Sequence, residues 1–265
     1  MKNIVLLGAT GSIGDSCLNV IRQNKKHFSL FGIGLGGNLD KAQQIAKEFS
    51  PEHIFVAKSH IDKSHDLLQS YPNILYTEDE LQELIQDPCV DIVISAISGF
   101  AGLRASYFAI DAGKKILIAN KESIVAAGDI LMPLAKAKNS EIIPVDSEHN
   151  AIHQCFPPHR DLKEISKIMI TASGGPFREK TFKELSGVTL QDALKHPTWS
   201  MGTKITIDSA TLVNKCLELI EAHYLFQIPE SQIEIVVHPQ SIIHSMVTFI
   251  DGSTIAQMSN PNMEV

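Results

Sequence analysis

Residues 3–14 read NIVLLGATGSIG, and this stretch decides the fold. An apolar run typical of a buried strand passes into a glycine-rich turn, and residues 15–24 then place apolar side chains at helical spacing. A glycine-rich turn in this context predicts binding of a dinucleotide, because the N–H groups at the start of the helix face its pyrophosphate. We expect Gly8 to permit the tight turn, Gly11 to let the backbone approach the ligand, and Gly14 to allow close helix–strand packing. The alternative is a turn that only joins strand to helix.

The first half of the chain alternates apolar strands with helical patterns. After the first strand, further strands are predicted at 28–36, 53–57, 90–98, 114–120 and 140–146. Nearly uninterrupted apolar strands joined by helices are typical of a parallel sheet that is covered on both faces. The sequence therefore predicts an α/β protein, with a Rossmann-type doubly wound sheet over residues 1–145 and a separate α+β domain over residues 146–265.

The end of the second strand indicates which dinucleotide binds. An NAD site usually carries an acidic residue about 20 residues after the glycines, where it binds the ribose 2′-hydroxyl. Here Gly36, Gly37 and Asn38 occupy that place, and the first acid, Asp40, already belongs to the next helix. This leaves room for a 2′-phosphate and favours NADP, although no arginine lies there to bind it.

Composition excludes several classes of protein. The formal net charge of −7 and the absence of a lysine- or arginine-rich run argue against a nucleic-acid partner. No apolar run approaches the roughly 18 residues of a membrane span, and no secretory signal pattern is present. The four cysteines are far apart and form no CxxC pair, which favours reduced thiols. We expect a cytoplasmic protein with no membrane or nucleic-acid partner.

Two strand ends carry polar clusters. Residues 120–123, Asn-Lys-Glu-Ser, follow the strand 114–120 and should face the cofactor, because ligands of open α/β sheets lie beyond the carboxyl ends of the strands. Lys121 would offer a charge or a proton near a reacting oxygen. The alternative is that Glu122 and Ser123 cap the next helix and Lys121 is a solvated surface charge.

The second cluster lies in residues 144–152, PVDSEHNAI. Asp146 and Glu148 are two residues apart, so in an extended segment both carboxylates point the same way, and they repel unless a proton or a cation compensates them. Oxygen ligands favour Mg²⁺ or Mn²⁺. A solvated loop is the alternative, and His149 with His153 leaves zinc as a weaker one.

A third carboxylate comes from residues 208–226, which predict one helix capped by Asp208 or Ser209. We expect Leu212, Cys216, Leu219 and Ile220 to form its core face. Asn214, Lys215 and Glu218 share another face and are candidates for binding a phosphorylated substrate and completing the metal site. The alternative is a surface ion pair between Lys215 and Glu218.

Two further stretches indicate binding loops. Residues 169–177 run from a strand into a glycine turn, where Ser173 and successive N–H groups suit a phosphate. Residues 194–202, LKHPTWSMG, contain His196 and the only tryptophan, Trp199, in a loop that has the features of an active-site lid. Alternatively, Trp199 anchors the loop on the core.

Seven stretches in this order resemble the 1-deoxy-D-xylulose 5-phosphate reductoisomerases: GATGSIG, ANKES, PVDSEHNAI, ASGGPF, HPTWSMG, DSATLVNKCLELIEA and HPQSIIHSMV. The resemblance implies an NADPH- and divalent-metal-dependent enzyme of isoprenoid precursor biosynthesis. It would rearrange the carbon skeleton of 1-deoxy-D-xylulose 5-phosphate and reduce the resulting aldehyde to 2-C-methyl-D-erythritol 4-phosphate. Members of the family continue past the equivalent of residue 265 with a helical domain, so we expect this chain to lack it.

The resemblance also implies roles for individual residues. With Gly8 of the glycine turn, NADPH would contact Thr10, Gly11, Ser12, Ile13, Gly36, Gly37, Asn38, Asn120, Glu122 and Gly202. Mg²⁺ or Mn²⁺ would be held by Asp146, Glu148 and Glu218, which with Lys121 form the catalytic set. The substrate would contact Lys121, Ser147, Glu148, Ser173, His196, Ser209, Asn214, Lys215 and Glu218, with Trp199 on a closing flap.

Residues 246–258 predict a β-hairpin with an Asp-Gly turn, which matches the sheet that such enzymes use to form homodimers. Two other functions compete with this interpretation. A non-catalytic NADP-sensing module accounts for residues 1–120 but gives the three carboxylates no role. A semialdehyde dehydrogenase needs a nucleophilic cysteine, and Cys155 has no evident base beside it in the sequence.

Overall fold

The computed structural model describes residues 1–60, 71, 73–156, 161–195 and 202–260. The chain divides into two compact units, Met1–Pro144 and Val145–Val265. Unit 1 contains the glycine-rich turn, and unit 2 contains Asp146 and the residues that follow it.

Unit 1 is built on a parallel sheet. Within the described residues, its seven strands lie in the order β4-β3-β2-β1-β5-β6-β7, and every adjacent pair is parallel. The strands are β1 Lys2–Leu7, β2 Phe28–Leu35, β3 His53–Val56, β4 Ile74–Leu75, β5 Ile92–Ser95, β6 Lys115–Ile118 and β7 Ile142–Pro144. The predicted doubly wound α/β fold is confirmed. The sequence missed only β4, whose two residues are too few to show a periodic pattern.

The helices of unit 1 lie between these strands along the chain. They are α1 Ser12–Gln23, α2 Leu39–Phe49, α3 Glu78–Gln86, α4 Leu103–Asp111 and α5 Lys121–Lys138, with short 3-10 turns at Lys58–His60 and Phe100–Gly102. The start of α3 is fixed by Thr77 and Glu80, whose side chains each accept a hydrogen bond from the other's backbone N–H. Helix α5 is kinked at Ala127.

The register of the central strands places the predicted ligand loops at one edge of the sheet. Leu7 is paired with Ser95, and Ser95 with Ile118, so β1, β5 and β6 end side by side. From β1 the sheet extends to one side through β2, β3 and β4 and to the other side through β5, β6 and β7. Open α/β sheets bind their ligands at this switch point, between β1 and β5. The glycine turn after β1 and the residues after β6 therefore lie at the same edge.

The strands are held by an apolar core. Val5, Leu6, Leu7, Ile33 and Ile116 have no exposed surface, which is why these strands read as continuous apolar runs. Burying one such leucine or isoleucine stabilises a fold by about 1.5–3 kcal/mol.

Unit 2 contains a mixed sheet in the order β11-β10-β8-β9, with β8 and β9 parallel and the other two pairs antiparallel. Its strands are β8 Ile165–Ala172, β9 Ile233–Val237, β10 Ile243–Phe249 and β11 Thr254–Met258. Its helices are α6 Ser147–Cys155, α7 Phe182–Leu185, α8 Leu190–Ala193, α9 Thr203–Ala210 and α10 Val213–Phe226, with short 3-10 turns at Leu162–Glu164 and Glu230–Gln232. The predicted hairpin is present, and Gly252 adopts a φ of +85° in its turn.

The single helix predicted over residues 208–226 is wrong. The chain forms α9 and α10 with a break at Leu212, whose φ is +61°. The hydroxyl of Thr211 contacts the carbonyls of Ile207 and Asp208 at 3.4 and 3.3 Å, and such contacts compete with continued helix formation.

The predicted core face of this segment is also wrong in most of its members. Leu212, Cys216 and Ile220 are exposed, and of the four predicted residues only Leu219 packs against the core. Asn214, Lys215, Glu218 and Glu221 are buried instead. These polar side chains can be buried because they face partners of opposite charge: Lys215 pairs with Glu148 and Glu218, and Glu221 lies beside His149.

Candidate active site

The glycine turn after β1 has the geometry that the sequence predicts. Gly8 has a φ of +86°, and a Cβ there would lie 2.3 Å from the carbonyl oxygen of Ala96. A Cβ on Gly14 would lie 2.4 Å from the carbonyl oxygen of Ala9, so only glycine lets α1 pack this closely. A Cβ on Gly11 would meet nothing nearer than 3.4 Å. Gly11 therefore faces space that a ligand can occupy.

The residues around the turn are accessible. Among the described residues no side chain caps α1, while Gly11, Ser12 and Ile13 are exposed and Thr10 is partly so. This leaves the positive end of the helix dipole toward solvent, as anion binding requires.

A cation that the sequence analysis missed lies beside this turn. The ammonium of Lys41 is 2.6 Å from the Asp15 carboxylate and 3.1 Å from the carbonyl oxygen of Thr10. Lys41 belongs to the first turn of α2, which Asn38 caps, while Gly36 and Gly37 leave the end of β2 without side chains. In the sequence, Lys41 could have been identified as a candidate from its place in the first turn of the helix that follows the second strand.

Asn120, which the resemblance predicts to contact NADPH, also has a structural role in unit 1. Its side chain is buried, caps α5 through the N–H of Ser123, and donates to the carbonyl oxygens of Ile97 and Gly99. It therefore fixes the loop that follows β5. Lys121 is also buried, which excludes the alternative of a solvated surface charge, and Glu122 is partly exposed.

The three carboxylates of the predicted metal site lie together in unit 2. Asp146 is the N-cap of α6, Glu148 is the second residue of that helix, and Glu218 comes from α10. One ligand atom from each lies within 4.8 Å of the other two. The expectation of an extended segment at 146–148 is wrong, because the helix already begins at Ser147.

Lys215 joins two of these carboxylates. Its ammonium is 2.5 Å from Glu148 and 2.6 Å from Glu218, so the predicted pair with Glu218 exists but is buried rather than at the surface. Burial alone would lower the pKa of Lys215, but the carboxylates of Glu148, Glu218 and Asp146 reverse this and raise it above its ordinary value. Lys215 therefore stays charged and serves as a counter-ion.

The donor set fits a divalent cation. Burial, together with the negative charges of Glu218 and Asp146, raises the pKa of Glu148 to about 7 even though Lys215 opposes the shift. One lysine thus does not fully compensate three carboxylates. A hard cation with oxygen ligands would compensate them, and the carboxylates of Asp146, Glu148 and Glu218 are the atoms that would hold it.

The carboxylates open into a pocket that also contains the predicted phosphate ligands. Among the described residues that line it are Ser147, Thr171, Ser173, Gly174, Ser209, Asn214, Lys215, Ser241 and His244. Gly174 and Gly175 have φ of +90° and +66°, and a Cβ on Gly175 would lie 2.6 Å from the carbonyl oxygen of Ser209. The glycine turn after β8 can therefore pack directly against the end of α9.

Sequence reasoning gave no role to Thr171, Ser241 or His244. Thr171 donates to the carbonyl of Ile243 or His244, at 3.0 and 2.8 Å, and Ser241 is buried with a φ of +50°. The stretch HPQSIIHSMV, which contains two of the three residues, was the signal that could have identified them.

His149 lies behind the carboxylates and does not pair with His153. Its ring is fully buried, with Nε2 2.9 Å from the main-chain carbonyl of Glu218 and Nδ1 3.1 Å from the Glu221 carboxylate. Burial would lower its pKa, but the charge and proximity of Glu221, with that of Asp146, raise it to about 9. His153 is exposed, so the pair that zinc would need is not formed.

The remaining predicted positions are less informative. Gly202 is the N-cap of α9. His196 and Trp199 lie outside the described residues, and the predicted lid stays a prediction. Burial raises the pKa of the Cys155 thiol, which is the opposite of what a nucleophilic cysteine needs.

These features define a class of protein, a dinucleotide-dependent enzyme with a divalent-cation site. Unit 1 is a dinucleotide-type α/β domain, and unit 2 carries a pocket whose carboxylates suit a divalent cation. Family profiles match both parts: that of 1-deoxy-D-xylulose 5-phosphate reductoisomerase covers residues 4–128, and that of its C-terminal domain covers residues 142–226.

Individual relatives agree with the profiles. A 1-deoxy-D-xylulose 5-phosphate reductoisomerase of Bacillus cereus (strain AH187) is 48% identical over 265 residues, which is 100% of this chain and 70% of the relative. A crystal structure of DOX-P reductoisomerase in complex with NADPH, fosmidomycin and magnesium superposes with a TM-score of 0.92 at 43% identity, covering 99% of this chain and 67% of that one. The enzyme of Zymomonas mobilis in complex with NADPH gives a TM-score of 0.90 at 42% identity, covering 99% and 68%.

The chain belongs to the 1-deoxy-D-xylulose 5-phosphate reductoisomerase family. The resemblance predicted from the seven sequence stretches is thereby confirmed. Within the described residues, no helix has both the length and the apolar character needed to cross a membrane.

Proposed function

We propose that this chain converts 1-deoxy-D-xylulose 5-phosphate to 2-C-methyl-D-erythritol 4-phosphate, using NADPH and a divalent metal, as a step in isoprenoid precursor biosynthesis. The expected class of enzyme, an NADPH-dependent oxidoreductase and isomerase, and the expected cofactors are confirmed by the family and its solved members. The assignment of individual residues remains our proposal.

One observation carries the proposal at the level of residues. The ligand atoms of Asp146, Glu148 and Glu218 lie within 4.8 Å of one another in the same pocket as Ser173, Ser209, Asn214 and Lys215. A cation site next to hydroxyl, amide and ammonium donors suits a substrate that has oxygen ligands at one end and a phosphate at the other.

The carboxylates of Asp146, Glu148 and Glu218 hold the cation in this proposal. When bound, the cation polarises the carbonyl of the substrate as a Lewis acid, and NADPH supplies the hydride. The amide of Asn214 donates a hydrogen bond to Glu218 and so orients that carboxylate. Lys121, buried at the start of α5, is the residue of unit 1 to which the family resemblance assigns a catalytic role.

In this proposal the phosphate of the substrate is bound by the ammonium of Lys215, the amide of Asn214 and two serine hydroxyls. Ser173 and Ser209 belong to segments that pack together through Gly175, and Asn214 and Lys215 begin α10. In unit 1, the exposed glycine turn and the region of Gly36, Gly37 and Asn38 bind NADPH, with Lys41 close to the turn.

We also propose that the protein is a cytoplasmic homodimer. The hairpin of β10 and β11 leaves Ile250, Ile255 and Met258 exposed, and a second copy of the chain bound to this hairpin would cover them. Sedimentation of the wild type and of I255K would test it: we expect a dimer that the substitution weakens. A wild type that sediments as a monomer would exclude it.

The activity is tested by following NADPH oxidation. We expect turnover only when 1-deoxy-D-xylulose 5-phosphate and Mg²⁺ or Mn²⁺ are both present, and loss of turnover in a chelator. Turnover that persists undiminished in the chelator would exclude the metal site. NADPH binding without turnover under all conditions would favour a sensing module instead.

A further inference from the structure

Glu221 is a buried acid to which the proposed chemistry gives no role. It lies on α10, three residues after Glu218, and its side chain is only 1% exposed. Moving a carboxylate out of water costs several kcal/mol unless a partner compensates it. The partner is His149, whose Nδ1 is 3.1 Å from the Glu221 carboxylate.

His149 connects Glu221 to two of the residues of the proposed cation site, Asp146 and Glu218. Its Nε2 is 2.9 Å from the main-chain carbonyl of Glu218, and its Nδ1 is 3.6 Å from the Asp146 carboxylate. The carbonyl can only accept, so Nε2 donates to it, and the two carboxylates face Nδ1. The ring of Phe226 lies beside the imidazole, with centroids 6.2 Å apart.

We propose that Glu221 is a positioning residue: through His149 it fixes the spacing between Asp146 and Glu218 and thereby raises the affinity of the site for a divalent cation. The inference rests on the proposed function, because it assumes that these carboxylates hold the cation. Asp146 and Glu218 belong to different helices, Asp146 as the N-cap of α6 and Glu218 within α10. His149 lies on α6 and contacts the carboxylate of Asp146 and the main-chain carbonyl of Glu218. Without Glu221 the imidazole loses the nearer of its two carboxylate partners and its side-chain contact with α10, so the distance between the helices is less closely defined.

The expected change in the dissociation constant for the metal follows from the behaviour of groups that orient metal ligands in other proteins. Removing such a group typically weakens metal binding by about 10- to 100-fold. We expect E221A to raise the dissociation constant for Mn²⁺, measured by calorimetry or EPR on the full chain without substrate, by about this factor. E221Q keeps the length of the side chain and an oxygen to face Nδ1, so we expect a smaller loss than in E221A.

A second comparison tests whether the effect passes through His149. H149A should weaken Mn²⁺ binding to a similar extent, and the double variant E221A/H149A should be little worse than either single variant. Additive losses in the double variant would overturn the inference, because they would mean that the two residues act independently.

Controls separate positioning from loss of stability. I168V removes a methyl group from the buried sheet of the same unit and should lower the melting temperature without changing the Mn²⁺ dissociation constant. NADPH affinity should be unchanged in every variant. Equal loss of Mn²⁺ binding in I168V and E221A would overturn the inference, and so would equal losses in E221Q and E221A.

The outcomes distinguish this inference from the function on which it rests. A wild type that binds no Mn²⁺ would overturn both. A wild type whose Mn²⁺ binding depends on Glu218 but is unchanged in E221A and E221Q would overturn only the role of Glu221. If E221A does not fold, the comparison of E221Q with the wild type still decides, since a loss specific to Mn²⁺ is required.

Discussion

Lys215 and Glu218, one turn apart on α10, form a buried ion pair with 2.6 Å between the ammonium and the carboxylate. The same ammonium lies 2.5 Å from Glu148, so the lysine pairs with two of the three proposed metal ligands. A divalent cation and Lys215 would therefore interact with the same two carboxylates. This relationship makes the stability of the protein depend on the metal in a testable way.

The first prediction concerns Lys215. K215M should lower the melting temperature strongly in a chelator, because removing one partner of a buried pair typically costs about 3–5 kcal/mol. Saturating Mn²⁺ should restore much of the loss, since the cation compensates the same carboxylates. Thermal unfolding followed by circular dichroism, with and without metal, measures both.

The control for this variant is K204M. Lys204 pairs with Asp208 at 2.7 Å, but its side chain is 53% exposed, and such pairs contribute only about 0–1 kcal/mol. We expect a small change that does not depend on the metal. An equal destabilisation of K215M with and without Mn²⁺ would contradict the assignment of the carboxylates.

The second prediction concerns Glu218. E218Q keeps the shape of the side chain but removes its charge, so turnover should be abolished and Mn²⁺ binding weakened, while NADPH affinity stays nearly constant. Steady-state kinetics and fluorescence titration of NADPH check these results. E230Q, at a side chain that is 67% exposed, is the control and should behave like the wild type. A large loss of NADPH affinity in E218Q would argue against its placement.

The third prediction compares two glycines of the same turn. G14A forces a Cβ to within 2.4 Å of a backbone oxygen and should destabilise the protein by about 1–3 kcal/mol. G11A meets nothing nearer than 3.4 Å, so its stability should change little while its affinity for NADPH falls. Urea unfolding and NADPH titration separate the two effects. Unchanged NADPH binding in G11A would place the cofactor elsewhere.

The fourth prediction concerns Asn120, which both caps α5 and donates to two carbonyl groups. N120D keeps the capping oxygen but turns a carboxylate toward those carbonyls, so it should destabilise the protein more than N120A does. Replacing the exposed cap of α2 in N38A should cost only about 1 kcal/mol. Urea unfolding of the three variants ranks them, and an N120D as stable as the wild type would show that the buried contacts are unimportant.

The sheet and the glycine turn could be predicted from the sequence because their signals are local. The strands of unit 1 that are longer than two residues are mainly apolar, and the roles of Gly8 and Gly14 follow from their positions between a strand and a helix. The spacing of residues already made Asp146, Glu148 and Glu218 candidates for a metal site, the resemblance implied that all three are ligands, and the structure brings them together.

The buried face of α10 could not be predicted in the same way. Lys215 and Glu218 look like a surface pair until Glu148, 67 positions away from Lys215, is known to lie beside them. Glu221 likewise turns inward because His149 is there to meet it. Partners this distant leave no trace in the periodicity of one segment, and the apolar pattern at Leu212, Cys216 and Ile220 therefore indicated the wrong face.

The break at Leu212 limits how this region can vary among related sequences. Ser209 precedes the break, whereas Asn214, Lys215 and Glu218 follow it. One residue inserted or deleted after the break would rotate everything beyond it by about 100°, since a helix turns once every 3.6 residues. Glu218 would then leave the pocket while Ser209 stayed in place. We therefore expect relatives to keep the length of this connection fixed.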